Sequence, residues 1–160
     1  MKIQGAVLTE IGRSRPYARS RPIRIQEVEL DPPGPGEVLV RIEAAGLCHS
    51  DLSVLDGNRV RPTPMLLGHE AAGRVEALGE GINDLVPGQR VVMAFLPRCG
   101  ECANCRTDGR LPCTLGSAAN NAGTLLSGGR RLHAADGSDI HHHLGVSGFA
   151  THAVVDRHSL

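Results

Sequence analysis

Four of the five cysteines fall in one stretch, CGECANCRTDGRLPC, which places Cys99, Cys102, Cys105 and Cys113 at the spacing C-x2-C-x2-C-x7-C. The two-residue gaps let successive thiolates turn toward one point, and a short loop carrying Gly109 and Pro112 can return the fourth. Four thiolates around one point suit a tetrahedral zinc ion that is closed to solvent and therefore structural. The loop has almost no apolar residues of its own, so metal binding and local folding should be coupled. An iron–sulfur cluster also takes four cysteines, but the bacterial ferredoxin run has three residues before its last cysteine and a proline after it. Here seven residues intervene and Thr114 follows. Disulfides are open to any even set of cysteines, yet nothing marks the chain as secreted. Structural zinc is preferred over these two alternatives.

At 160 residues the chain is long enough for one sizeable core. Its 17 basic and 17 acidic residues cancel, which argues against nucleic-acid or anionic-membrane partners. No run of about eighteen apolar residues suggests a membrane span. The opening MKIQGAVLTE lacks the apolar segment and cleavage site of a signal peptide, so a cytoplasmic protein with reduced thiols is expected.

Twenty glycines and ten prolines point to short strands and many turns. Strands are predicted at 3–8, at 23–30 and at 37–46, where Val38, Val40 and Ile42 alternate with Leu39, Arg41 and Glu43. Residues 31–36 form a turn, and the segment after Gly46 fits one or two helical turns that include Ser50 or Asp51. Further strand character is predicted at 70–79, after Pro87-Gly88, and within 141–155. The segment 114–140 lacks periodicity and is expected to be an irregular excursion. The sum is a mainly β domain, a partly open barrel of short strands.

Cys48 stands alone at the end of a predicted strand, and His69 sits where an extended segment meets a turn. Taken singly, a small buried hydrophobe and an ordinary histidine are the default readings. Asp51 offers the carboxylate that a metal-bound histidine wants on its other ring nitrogen, and Glu70 offers one more oxygen. Pattern alone goes no further. His141 to His143 read as loop or interface residues, because neighbours on a strand face opposite ways and cannot share a metal.

The sequence resembles the N-terminal, GroES-like catalytic domain of the zinc-containing medium-chain alcohol dehydrogenases. The resemblance rests on GLCHSD at 46–51, GHEAAGRVEALGEGI at 68–82, VPGQRV at 86–91, the cysteine lobe at 99–113 and HHHLGVSGFATHAVV at 141–155. The last stretch is closest to the liver-type and thiol-dependent formaldehyde dehydrogenase-like branch. The resemblance implies a GroES-like β-barrel over 1–160 with a zinc lobe at about 95–115. It implies that Cys48 and His69 are ligands of a catalytic zinc, and that Cys99, Cys102, Cys105 and Cys113 hold the structural zinc. Ser50 would bind the substrate oxygen and start a proton relay, Asp51 would orient the histidine, and Glu70 would lie close behind the metal. His49 stands at a position where many liver-type members carry an arginine that touches the cofactor pyrophosphate, and Ser53 where some carry a relay histidine.

The resemblance also implies parts not found here. No cysteine follows Cys113, so the catalytic zinc set is expected to be incomplete. No G-x-G-x-x-G opens a helix, so a nucleotide-binding domain is expected to be absent and NAD(P) is not expected to bind. The chain is thus expected to be the domain that handles zinc and a small alcohol or aldehyde, inactive alone and prone to self-association. The alternative is a free-standing zinc-binding module with a structural or interaction role.

Overall fold

The computed structural model describes residues 1–160. Nine strands form a closed barrel in the order β1-β2-β7-β8-β4 and a four-stranded sheet in the order β6-β5-β3-β9. β1 (Lys2–Leu8) and β2 (Ile23–Leu30) pair antiparallel along their whole length, from Lys2 opposite Glu29 to Leu8 opposite Ile23. The barrel is completed by β4 (Met65–Leu66), β7 (Leu132–His133) and β8 (Asp139–His142). In the second sheet β3 (Glu37–Gly46) lies between β5 (Glu70–Leu78) and β9 (His152–Asp156), and β6 (Arg90–Val92) forms the edge.

The alternation predicted in β3 separates two cores. Val38 and Val40 pack with Ala71, Val75, Val146 and Val155, while Leu39 turns the other way, onto the barrel interior of Ile3, Val7, Val28 and Leu132. One strand therefore seals both halves. Glu37, wholly buried at its start, fastens them by polar contacts as well. Its carboxylate accepts from Arg131 Nε at 2.7 Å, Ser127 Oγ at 2.9 Å and the Gly34 N–H at 2.9 Å. A buried carboxylate needs such a set of donors to offset its lost hydration.

Two parts differ from the sequence reading. Residues 11–22, a basic, proline-punctuated stretch that reads as loop, hold the one-turn helix α1 (Tyr17–Ser20), and α2 (His49–Leu55) follows β3 as expected. The segment 114–140 is not irregular throughout, because it opens with the helix α3 (Thr114–Ala122) and contains β7. Intrinsic propensity for TLGSAANNA is weak, and tertiary contacts decide instead. Cys113 Sγ accepts the Gly116 N–H at 3.3 Å, the Asn120 amide donates to the Phe95 carbonyl at 2.9 Å, and Gly123 ends the helix at φ 68°. No helix is long and apolar enough to cross a membrane.

The histidine run straddles the end of β8: His142 closes the strand and His143 begins the bend after it, and both are fully buried rather than turned to a free surface. His142 Nε2 accepts the Arg131 N–H at 3.1 Å, which requires the neutral ring, and burial draws its pKa down to about 3. An unfolded histidine titrates near 6.5. The unfolded chain thus takes up the extra proton as pH falls, and stability present above about 6.5 is lost progressively toward pH 3. Urea unfolding at pH 7 and pH 5 should show the His142→Gln variant losing about 2 kcal/mol less over that interval than the parent chain. Equal losses would contradict a neutral, buried His142.

Candidate metal centres

The four-cysteine lobe is assembled by turns. Gly100 and Gly109 adopt φ of 79° and 82°, and Asp108 has φ 52°, so the chain reverses twice between its first and last sulfur. Cys99 Sγ lies 3.6 Å from Cys113 Sγ and 3.9 Å from Cys105 Sγ, and Cys102 Sγ lies 4.0 Å from Cys113 Sγ. A regular tetrahedron with zinc–sulfur bonds of about 2.3 Å has sulfur–sulfur edges of about 3.8 Å. A disulfide would need about 2.05 Å, and all five cysteines are free. The donor set therefore fits zinc and excludes paired sulfurs.

The electrostatics divide the four sulfurs. The Thr114 and Cys105 N–H groups draw the Cys102 thiol down to about 6, whereas desolvation pushes Cys105 up to about 11. Cys113 is lowered although burial works against it, through the N–H groups of Cys99 and Gly116. Four thiolates at this range repel one another unless a cation sits among them.

The second centre lies where α2 meets the start of β5. Cys48 precedes α2, and His69 precedes β5. Gly68 makes this approach possible: its φ is 91°, and a Cβ there would meet the Phe149 backbone nitrogen at 2.5 Å. Cys48 Sγ, a His69 ring nitrogen and a Glu70 carboxylate oxygen all lie within 4.8 Å of one another. Glu70 Oε1 is 3.9 Å from His69 Nε2, and Ser50 Oγ is 3.7 Å from Cys48 Sγ. A thiolate, an imidazole and a carboxylate with room for one more ligand match the donor chemistry of an open zinc site.

Asp51 organises this cluster from behind. Its Oδ2 accepts the Cys48 N–H at 3.2 Å, and its Oδ1 accepts the Gly68 N–H at 3.2 Å and faces His69 Nδ1 at 3.2 Å. A proton on Nδ1 satisfies Asp51 and leaves the Nε2 lone pair free toward Cys48 and Glu70. Burial alone would raise the Asp51 pKa, but His143, His69 and the Cys48 N–H outweigh it and hold the carboxyl below its ordinary value.

The structure thus brings together Cys48, Ser50, Asp51, His69 and Glu70. His49 is set apart: it is exposed, and its Nδ1 lies 3.3 Å from Ser53 Oγ. Sequence reasoning missed two neighbours. The Phe95 ring meets the His69 ring edge-on at 5.5 Å, and the His143 ring does so at 5.2 Å. His143 Nδ1 also lies 3.1 Å from Asp51 Oδ1, although burial lowers the pKa of its ring. Only the number of consecutive histidines hinted at this, and alternation along a strand does not say which one faces the site.

Comparison with known proteins places this geometry. Residues 34–160 match the family described as the alcohol dehydrogenase GroES-like domain. Among solved structures, an alcohol dehydrogenase zinc-binding domain protein from Burkholderia ambifaria is 34% identical with a TM-score of 0.87, covering 99% of this chain and 41% of that protein. Benzyl alcohol dehydrogenase from Acinetobacter calcoaceticus is 30% identical with a TM-score of 0.81, covering 99% and 40%. Acetophenone reductase from Geotrichum candidum, solved in complex with NAD, is 27% identical with a TM-score of 0.66, covering 99% and 39%. The chain spans about two fifths of the length of these structures.

Proposed function

The chain belongs to the alcohol dehydrogenase GroES-like domain family, and from that premise we propose that it is the zinc- and substrate-binding part of an NAD(P)-dependent alcohol dehydrogenase, inactive without a nucleotide-binding part. The observation that carries this reading is the convergence of Cys48, His69 and Glu70 in front of Asp51. Cys48 and His69 would hold the catalytic zinc, with Glu70 the further donor this chain offers. When bound, zinc polarises the alcohol oxygen and lowers its pKa.

Asp51 keeps His69 in the tautomer that presents Nε2, and ties Cys48 to the same carboxylate. The half-buried Ser50 hydroxyl, beside the Cys48 sulfur, accepts the proton from the alcohol oxygen and passes it toward solvent. The Ser53 hydroxyl and the exposed His49 ring are in contact and offer the next step of that path. Phe95 and His143 wall the His69 ring and limit access of water to it. A nicotinamide, once bound beside this centre, would supply the acceptor for the carbinol hydride. The four-sulfur lobe takes no part in the chemistry.

The test uses the protein purified at full length from its own source. It should reduce NAD or NADP when given benzyl alcohol, whereas residues 1–160 alone should not. Hydride transfer by the isolated 160 residues would contradict the division of labour. A full-length protein that holds zinc yet oxidises no primary alcohol would favour a structural module instead.

A further inference from the structure

Phe95, whose ring packs against His69, also lines a cavity of about 140 Å³ bounded by Arg59, Arg61, Asn120, Asn121 and Leu144. No carboxylate lines it. Arg61 is half-buried, and its guanidinium makes no ion pair; its side-chain partner is the Asn121 amide oxygen, and its Nε is buried without a partner. Burial draws its pKa down, and the charge of Arg59 beside it acts in the same direction. Asn120 is 4% exposed; it donates to the Phe95 carbonyl but leaves Oδ1 unpaired.

A desolvated guanidinium next to a like charge is unfavourable unless an anion joins it, and none of this chain's own acids does so. Arg131 and Arg157, also half-buried, each have a carboxylate partner, Glu37 and Asp84, and half-buried Arg98 donates to the Leu111 and Asn104 carbonyls. The cavity volume equals that of about five waters, enough for a carboxylate and a short aliphatic or aromatic stem. The planar fork of arginine matches a carboxylate in two parallel hydrogen bonds.

We propose that Arg59 and Arg61 form a carboxylate-binding subsite, so that the preferred substrates are small alcohols carrying a carboxylate away from the hydroxyl end. This rests on the dehydrogenase reading above, and Phe95 borders both the cavity and the His69 ring. Arg61 supplies the desolvated charge and Arg59 the outer one. Asn121 holds the Arg61 fork in place, and Asn120 Oδ1 remains for a bound water or a donor on the ligand.

The experiment has a kinetic arm and a binding arm, both on the zinc-loaded full-length protein. In the first, kcat/KM is measured for 6-hydroxyhexanoate and for 1-hexanol. The native protein should favour the hydroxy acid, and Arg61→Met should reduce that preference by roughly 10–100-fold, with Arg61→Lys recovering part of it. Zinc content and circular dichroism confirm that each variant is folded. In the second arm, hexanoate binding is followed by calorimetry and located by crystallography, with inorganic phosphate as competitor. Hexanoate seated on Arg61 supports the subsite even where the protein oxidises neither alcohol, a result that would overturn only the dehydrogenase reading. Oxidation of 1-hexanol with no preference for the acid, unchanged by Arg61→Met, overturns the subsite and leaves that reading standing. Phosphate displacing hexanoate at lower concentration overturns the choice of a carboxylate.

Discussion

Replacing Cys102 by serine should empty the four-sulfur lobe of zinc and unfold residues 95–115 while the barrel persists. A serine hydroxyl stays protonated at neutral pH and is a poor ligand, so the remaining three sulfurs would hold the ion weakly. The lobe has little else to hold it. Leu96, Leu111 and Leu115 are all more than 40% exposed, and the segment's hydrogen bonds are mostly short turns. Structural zinc in small peptides binds with about 10–16 kcal/mol, which is also the folding free energy of such units. Loss should spread to the start of α3, whose first turn uses Cys113 Sγ as its cap. Metal analysis should find one zinc fewer per chain, and limited proteolysis should cut within 95–115. A variant that keeps both its zinc and its protease resistance would show the assignment to be wrong.

The second large effect belongs to the open centre. On the proposed dehydrogenase reading, Cys48→Ser should remove a ligand outright, and Asp51→Asn should only disturb the ligand's support. Outer carboxylates of this kind are worth roughly 10–100-fold in metal affinity or activity. Asp51→Asn should fall in that range, because the amide keeps one acceptor oxygen for the Gly68 N–H and the His69 Nδ1 proton but sets its NH2 against the Cys48 N–H. Cys48→Ser should cost more than Asp51→Asn in kcat, with zinc lost from this site and retained at the cysteine lobe. Equal effects of the two changes, or loss of both zincs from either one, would contradict the independence of the two centres.

Much of this was legible in the chain. The C-x2-C-x2-C-x7-C spacing is local, so its convergence follows from short turns, and the alternation in 37–46 gave β3 its correct bounds. The Cys48–His69 pairing was not local. Twenty residues separate the two, and it is Gly68 beside Phe149, together with Asp51 reaching from α2, that brings them into register. Only the resemblance to a known family made that pair readable beforehand. α3 escaped notice because its stability comes from contacts with Phe95 and Pro97 rather than from helix-forming residues. His143 escaped because a strand pattern states only that neighbours diverge, and it is the bend after β8 that sets its ring against His69 and Asp51. Arg61 lay in a proline-rich approach that reads as a turn, and only the fold shows that its charge is left without a partner.

The most direct test of the account is an anomalous-difference map recorded at the zinc edge on crystals of residues 1–160. A strong peak among Cys99, Cys102, Cys105 and Cys113, about 2.3 Å from each sulfur, is the predicted result. Sulfurs joined in pairs at about 2.05 Å, or four sulfurs with no anomalous scatterer between them, would contradict it.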